Sequence, residues 1–87
     1  MTYKIFYTKA APKDAVKLKR AGLDDNCRKL LSCVAQDPFM PSPPFEELVG
    51  DLQGLYSRRI NLQHRLVYEV DEQHRTIKIL RMWTHYA

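Results

Sequence analysis

Alternation of apolar and polar side chains is clearest in the segment Arg65-Leu66-Val67-Tyr68-Glu69-Val70. Because successive side chains of a β-strand point to opposite faces, Leu66, Tyr68 and Val70 share one face of this segment. Arg65 begins the other face. The pattern predicts a strand that buries one face against a core and leaves the face with Arg65 open.

Strand patterns also occur on both sides of this segment, at residues 55–60 and 76–83. Polar turns at residues 61–64 and 71–75 connect them to it. Strands that are joined by short turns pair in an antiparallel manner. To bury the apolar side chains together, Leu66 and Tyr68 should lie opposite Ile79 and Ile77. The C-terminal half is therefore predicted to form an antiparallel sheet.

The N-terminal half has the pattern of one strand and two helices. Residues 3–7 are aromatic and β-branched, as strands are. Thr8 is expected to cap a first helix, and Gly22 to end it. A second helix should begin near Asp24, because apolar residues recur with helical spacing from Leu23 onward. The order β-α-α-β-β-β predicts an α+β fold, with two N-terminal helices packed on one face of an antiparallel sheet.

The connection at residues 37–54 contains four prolines, which exclude a long helix or a central strand. Irregular segments of this length are uncommon in small domains and are usually functional or disordered. Because the segment also contains Phe39, Phe45 and Leu48, we expect it to dock on the body of the domain.

The chain has 87 residues, which predicts a single domain spanning residues 1–87, and its net charge is +4. Residues 1–31 hold eight Lys or Arg against three acidic residues, and residues 55–87 hold six against three. Residues 32–54 hold four acidic residues and no Lys or Arg. Two basic regions around an acidic segment fit a polyanion such as RNA, but a weak positive charge is also common in ordinary domains.

Several classes of protein are disfavoured by the same sequence. No apolar run approaches the roughly 20 residues of a membrane-spanning helix. The N-terminus lacks the basic and then apolar pattern of a secretion signal, so we expect a cytoplasmic protein without membrane contact. Neither a metal-ligand spacing nor a glycine-rich phosphate loop is present, and we therefore expect no metal and no cofactor.

The chain ends Arg81-Met82-Trp83-Thr84-His85-Tyr86-Ala87, with an imidazole and a phenol beside its terminus. These aromatic residues either complete the core at the end of a strand or belong to a site that handles nucleic-acid phosphate and base. The imidazole has an ordinary pKa of about 6.5, so His85 can protonate a leaving oxygen near neutral pH.

Four arginines are candidate phosphate ligands. Arg65 lies on the predicted open face, and a guanidinium makes paired hydrogen bonds to phosphate oxygens. The alternative for Arg65 is an ion pair with Glu69. Arg58 and Arg59 point to opposite faces of their strand, so at most one of them joins the same pocket, while the other is solvated or contacts a larger RNA. Arg81 is the fourth candidate.

Glu46 and Glu47 are the adjacent carboxylates of the proline-rich segment. A carboxylate can accept the proton of a ribose 2′-hydroxyl as a general base, and the alternative interpretation is an exposed acidic turn. His64 and His74 lie in predicted turns, where we expect them to be solvated. Together, a carboxylate, an arginine and a histidine can support metal-free RNA cleavage that depends on the 2′-hydroxyl.

Four blocks of the sequence resemble a single family. They are Phe45-Glu46-Glu47-Leu48, Leu52-Gln53-Gly54-Leu55-Tyr56-Ser57-Arg58-Arg59-Ile60, Gln63-His64-Arg65-Leu66-Val67-Tyr68 and Arg81-Met82-Trp83-Thr84-His85-Tyr86. Over nearly its whole length, and most closely from Pro44 to Tyr86, the chain resembles the Txe/YoeB family of bacterial toxins. That family lies within the RelE-like superfamily of toxin–antitoxin modules.

The resemblance implies a compact endoribonuclease with a curved antiparallel sheet. It implies cleavage of mRNA in the ribosomal A site, which leaves a 2′,3′-cyclic or 3′-phosphate and a 5′-hydroxyl. By position, Glu46 corresponds to the general base of the family and Arg65 to its phosphate-stabilising arginine. His85 corresponds to the general acid, and Tyr86 to the aromatic residue that positions the substrate.

The resemblance also implies several partners. They are the ribosome with its mRNA, a labile Phd/YefM-type antitoxin whose C-terminal segment covers the active site, and operator DNA that is bound only through the antitoxin complex. The toxin alone is expected to be able to dimerise. The competing class is a protein that binds a ribosome or an antitoxin without catalysis, which would keep the basic regions but need neither Glu46 nor His85.

Overall fold

The structure is a computed structural model that describes residues 2–41, 44–48, 54–61 and 64–83. The described elements are β1 (Lys4–Tyr7), α1 (Ala10–Arg20), α2 (Asp24–Gln36), β2 (Phe45–Glu47), β3 (Leu55–Arg59), β4 (Arg65–Asp71) and β5 (Thr76–Arg81). The strands form one sheet in the order β1-β5-β4-β3-β2. The predicted α+β class with two N-terminal helices is therefore confirmed.

The sheet differs from the prediction in two respects. Residues Phe45–Glu47 of the proline-rich connection form an additional strand, β2, which pairs antiparallel with β3 at the edge of the sheet. Strand β1 pairs parallel with β5, so the sheet is mixed and not antiparallel throughout. Prolines are compatible with a short edge strand because one of its sides needs no ladder hydrogen bonds. Strand order depends on how distant segments pack, which the alternation within one strand does not encode.

The register between β4 and β5 also differs from the prediction. Tyr68 lies opposite Ile79 and Val70 lies opposite Ile77, with a bulge between Val67 and Tyr68. Relative to the predicted pairing, this is a shift of two residues. A shift by two keeps every side chain on its face, so the predicted buried set is retained.

The core lies between the two helices and one face of the sheet. The main cluster combines fully buried residues of β4 and β5 with residues of both helices and three residues next to the strands: Tyr3, Ala11, Leu18, Cys27, Leu30, Val34, Ile60, Leu66, Tyr68, Ile77, Ile79 and Met82. The helices meet at Gly22, whose φ of +73° is the left-handed conformation that ends α1. The opposite face of the sheet is left for the candidate site.

The start of α1 differs from the predicted cap. The N-cap position of α1 is occupied by Lys9, and the Thr8 hydroxyl donates to the carbonyl oxygen of Leu80, at 2.8 Å. The Thr8 amide donates to the carbonyl oxygen of Ile79, at 3.0 Å. Thr8 therefore joins the end of β1 to β5 and sets the point from which α1 leaves the sheet.

Candidate functional site

A cavity of about 340 Å³ lies on the sheet face away from the helices, and it is lined by Pro44, Glu46, Ser57, Arg59 and Arg65. Strand pairing brings these residues together from segments that are distant in sequence. Glu46 of β2 lies opposite Ser57 of β3, and Arg59 of β3 lies opposite Arg65 of β4. Since Ser57 and Arg59 are two residues apart, they share one face of β3, and all four polar side chains point the same way.

An ion pair between Arg65 and Glu46 forms the centre of this cavity. Arg65 Nη1 lies 3.1 Å from Glu46 Oε2, and Arg65 Nη1 also donates to Ser57 Oγ at 3.4 Å. The Arg65 side chain is only 10% exposed, whereas that of Glu46 is 55% exposed. The predicted alternative, an ion pair of Arg65 with Glu69 along the same strand, is not the one that forms among the described residues. The structure thus combines a fixed, buried guanidinium with an accessible carboxylate.

Glu47 is separated from this cavity by the pleat of β2. It lies opposite Tyr56, one residue along from the Glu46–Ser57 pair, so its side chain points to the other face. Both glutamates are exposed, but only Glu46 lines the cavity. Of the two adjacent carboxylates, the geometry therefore favours Glu46.

Arg58 occupies a position that contradicts its prediction as an RNA contact. It is 0% exposed and lies on the helix side of β3. Its Nε donates to Tyr68 Oη at 2.8 Å, and its Nη2 donates to the carbonyl oxygens of Pro38 and Met40 at 2.9 and 2.8 Å. A guanidinium that has no exposed surface and donates to these three oxygens is a structural group, because it presents nothing to a phosphate in solution. Arg59, by contrast, is exposed and lines the cavity as a second cation.

Arg81 is also placed away from the cavity, on the helix side of β5. Its Nε and Nη2 donate to Oδ2 and Oδ1 of Asp14 in α1, at 2.7 and 3.1 Å. No sequence motif singles out Asp14, which is 1% exposed. The available signal is its helical spacing from Ala11 and Leu18, which are also buried. The Arg81 guanidinium joins the sheet to α1, and its predicted contact with RNA phosphate or the ribosome stays a prediction.

Burial by itself raises the pKa of Asp14, but other contacts outweigh it. Hydrogen bonds from Arg81 and from the backbone of Met82 and Trp83, together with the positive charge of Arg81, hold the pKa of this carboxyl below its ordinary value. Asp14 is therefore a buried anion that holds the C-terminal end of β5.

His64 differs from the predicted solvated turn residue, because it is only 6% exposed. Its ring stacks on that of Trp83, with ring centroids 3.6 Å apart and planes inclined by 19°. Sequence position alone places His64 in a turn, and the stack with Trp83, which is distant in sequence, is not visible from that position. His74 does lie exposed in its turn, where Nδ1 is 2.7 Å from Asp71 Oδ2.

The predicted general acid His85 and the predicted positioning residue Tyr86 lie outside the described residues. Their roles stay predictions. Within the described ranges, no cluster of three or more His, Cys, Asp or Glu side chains could hold a metal ion. No helix in the described part of the chain is both long and apolar enough to cross a bilayer.

Comparison with known proteins places this geometry in a family. Residues 9–86 match the family described as YoeB-like toxin of bacterial type II toxin-antitoxin system. Toxin YoeB of Synechocystis sp. is 38% identical over 73 residues, which cover 84% of this chain and 76% of the relative.

Solved structures agree with the sequence match. A YoeB/ParE toxin from Agrobacterium tumefaciens gives a TM-score of 0.85 at 28% identity, covering 95% of this chain and 99% of that chain. A YoeB dimer from Staphylococcus aureus gives 0.82 at 30% identity, covering 99% of this chain and 100% of that chain. The YoeB–YefM complex from the same organism gives 0.80 at 30% identity, with the same coverage.

The fold and the matching sequences define a toxin of a bacterial type II toxin–antitoxin system. Within that class, the chain belongs to the YoeB-like toxin family. The resemblance that the four sequence blocks indicated is thereby confirmed.

Proposed function

We propose that this toxin is a ribosome-dependent endoribonuclease that cleaves mRNA in the A site and thereby stops translation. The observation that supports the proposal most is the Arg65–Glu46 ion pair, with 3.1 Å between the guanidinium and the carboxylate, in an open cavity. Cleavage through the 2′-hydroxyl needs a base at the ribose and a cation at the adjacent phosphate. Both groups must be within hydrogen-bond reach of one nucleotide.

The proposed reaction is an internal transesterification at one phosphodiester bond, which releases the 5′-oxygen of the next nucleotide. Glu46 accepts the proton of the 2′-hydroxyl, the 2′-oxygen attacks the neighbouring phosphorus, and the bond from phosphorus to the 5′-oxygen breaks. His85 gives a proton to that leaving oxygen. The products are a 2′,3′-cyclic phosphate and a 5′-hydroxyl end. Each positioned proton transfer contributes roughly 10²–10⁴-fold to the rate.

Arg65 is proposed to stabilise the negative charge that develops on the phosphate. Among the described contacts, Glu46 and Ser57 both meet Nη1 of Arg65, so its other N–H donors are available to phosphate oxygens. Arg59 adds a second positive charge at the exposed rim. Tyr86 is proposed to position the substrate base. The reaction uses side chains alone and needs no cofactor.

The proposed partners follow from the family. A Phd/YefM-type antitoxin is expected to inhibit the toxin, and the Staphylococcus aureus relative was solved as a YoeB–YefM complex. Operator DNA is proposed to be bound only through that complex. Homodimerisation of the free toxin is proposed from the YoeB dimer of the same organism. The toxin is proposed to act in the bacterial cytoplasm, where translating ribosomes are.

The two adjacent glutamates allow a matched test. Ribosomes carrying a defined mRNA are incubated with the parent toxin, with Glu46→Gln and with Glu47→Gln, and the new RNA ends are mapped. We expect Glu46→Gln to reduce the cleavage rate by roughly 10²–10⁴-fold, because a general base is lost. Glu47→Gln removes the same charge on the opposite face and should cleave at nearly the parent rate.

Equal losses in the two variants, or a Glu46→Gln variant that cleaves normally, would contradict the assignment of the base. A parent toxin that stops translation without producing new 5′-hydroxyl ends would identify it as a binding protein without catalysis.

A further inference from the structure

The stack of His64 on Trp83 is the closest ring contact among the described residues, and the proposed reaction does not yet use it. The ring centroids are 3.6 Å apart and the planes nearly parallel, at 19°. His64 is buried, while Trp83 is partly exposed and packs against the edge of the core. A stack of this geometry holds two segments at a defined separation and orientation.

His64 is held rigidly by the turn between β3 and β4. Its amide donates to Asn61 Oδ1 at 2.7 Å, and its carbonyl oxygen accepts from the amides of Ile60 and Asn61 at 2.8 and 3.3 Å. Both sides of the His64 backbone are therefore fixed. The imidazole is a platform whose position is set by the sheet.

Trp83 is held from the opposite side by the buried anion Asp14. The Met82 amide donates to Asp14 Oδ2 at 3.0 Å, and the Trp83 backbone also hydrogen-bonds this carboxylate. Trp83 is thus fixed at its backbone by α1 and at its ring by the β3–β4 turn.

The register of the sheet shows where this restraint acts. Val67 lies opposite Arg81 in an antiparallel pair. Strand β5 therefore ends close to the start of β4, and the ring of Trp83 lies on that of His64, the residue before Arg65. His85 follows two residues after Trp83 in the sequence, so the stack fixes the point from which the chain continues to the proposed general acid.

We propose that His64 and Trp83 are positioning residues: their stack fixes the chain two residues before the proposed general acid His85, and the rate of cleavage depends on that restraint. This inference rests on the proposed function, since it assigns His85 the proton transfer to the leaving oxygen. The stack itself touches neither substrate nor reacting atoms. It acts by restricting where the acid can lie.

The test compares Trp83→Leu with Trp83→Phe in ribosome-dependent cleavage, with the rate constant and KM measured separately. Trp83→Leu keeps an apolar side chain but removes the ring, and it should lower kcat by about 10–100-fold because small misplacements of a reacting group are costly. KM should change by less than about 3-fold, since ribosome binding is not affected. Trp83→Phe restores a ring and should recover most of the rate.

Two controls separate positioning from stability. Val34→Ala truncates a fully buried side chain of α2, and it should lower the unfolding temperature while keeping kcat near that of the parent. Trp83 is the only tryptophan, so its fluorescence reports the stack directly. In His64→Leu, the Trp83 ring should become more accessible to a neutral fluorescence quencher. The double variant Trp83→Leu/His64→Leu should cleave no more slowly than Trp83→Leu alone, because both substitutions remove the same stack.

The inference is overturned if Trp83→Leu retains the parent kcat, if Trp83→Phe is as slow as Trp83→Leu, or if Val34→Ala loses as much kcat. Unchanged quenching in His64→Leu would show that the stack does not form in solution, and it would also overturn the inference. A parent toxin that makes no new RNA ends is a separate result, because it removes the proposed function before any variant is compared.

Discussion

At the scale of single residues, the most unusual feature is the buried charge of Arg58. A buried cation is unfavourable unless its donors are satisfied, and Arg58 meets this condition with a phenol, two carbonyl oxygens and the Phe45 ring, which lies 4.9 Å from the guanidinium. Burial raises the pKa of Tyr68, so its hydroxyl stays protonated and donates to the Pro38 carbonyl at 2.7 Å. The cluster attaches the proline-rich connection to the sheet, immediately beside Glu46.

Substitution of Arg58 should therefore reduce stability strongly. In Arg58→Met the apolar length is kept, but the Met40 carbonyl and the Tyr68 hydroxyl lose a charged donor, which should lower the free energy of unfolding by about 3 kcal/mol. Denaturant unfolding measures this quantity. Arg59→Met on the same strand is the matched control, because Arg59 is exposed and should change stability by less than about 0.5 kcal/mol. Similar losses in both variants would contradict the structural role.

At the scale of elements, Asp14 connects α1 to the end of β5. The carboxylate accepts hydrogen bonds from Nε and Nη2 of Arg81 and from the Met82 amide, so one buried side chain fixes the position where β5 ends. The same connection orients Trp83 toward the β3–β4 turn. Helix α1 thus fixes the backbone at Met82 and Trp83, although none of its residues lines the cavity.

This connection predicts a dependence of stability on acid. Because the folded-state pKa of Asp14 lies below its ordinary value, the stabilisation is present above the unfolded pKa of about 3.9 and is lost as the pH falls through the folded value. Asp14→Asn should cost about 1–3 kcal/mol at pH 7. The difference from the parent should begin to shrink below about pH 4, where the unfolded parent binds a proton at Asp14 that the folded parent does not yet bind.

Denaturant unfolding of the parent and of Asp14→Asn from pH 7 to pH 3 measures how the free energy of unfolding of each protein depends on pH. A difference between the two proteins that stays constant over this range would show that the charge of Asp14 does not stabilise the fold.

At the scale of the whole molecule, the two faces of the sheet have different tasks. The helix side contains the apolar core with Arg58 and Asp14 satisfied inside it. The other side carries Glu46, Ser57, Arg59 and Arg65 in the open cavity. The residues that stabilise the fold and those of the proposed reaction therefore lie on opposite faces of one sheet. The core contacts described above involve residues up to Trp83.

Removal of residues 84–87 should abolish RNA cleavage and leave the stability of the fold nearly unchanged. We expect the unfolding temperature to fall by less than about 4 °C, since the described core is retained. Cleavage of ribosome-bound mRNA should fall by at least about 10²-fold, because the proposed general acid is lost. Thermal unfolding and mapping of RNA ends give both values. A truncated toxin that is folded and fully active would contradict the role of His85.

Several features followed from the sequence alone, because each is written in local periodicity or in a specific block of residues. Alternation in β4 and helical spacing from Leu23 onward identify elements, since the faces of strands and helices repeat at fixed intervals. The blocks around Glu46 and Arg65 identify the family. Any pairing of Leu66 and Tyr68 with β5 that keeps the buried face satisfies that pattern, so the faces were predictable whereas the register was not.

The remaining features depended on which distant segments meet. The parallel pairing of β1 with β5, the extra strand β2 and the bulge beside Tyr68 are set by packing across the whole sheet. The same physical reason separates the arginines. The alternation of a strand divides Arg58 from Arg59, but only the tertiary structure decides that one face lies under the helices, and so makes Arg58 a core residue and leaves Arg65 beside Glu46.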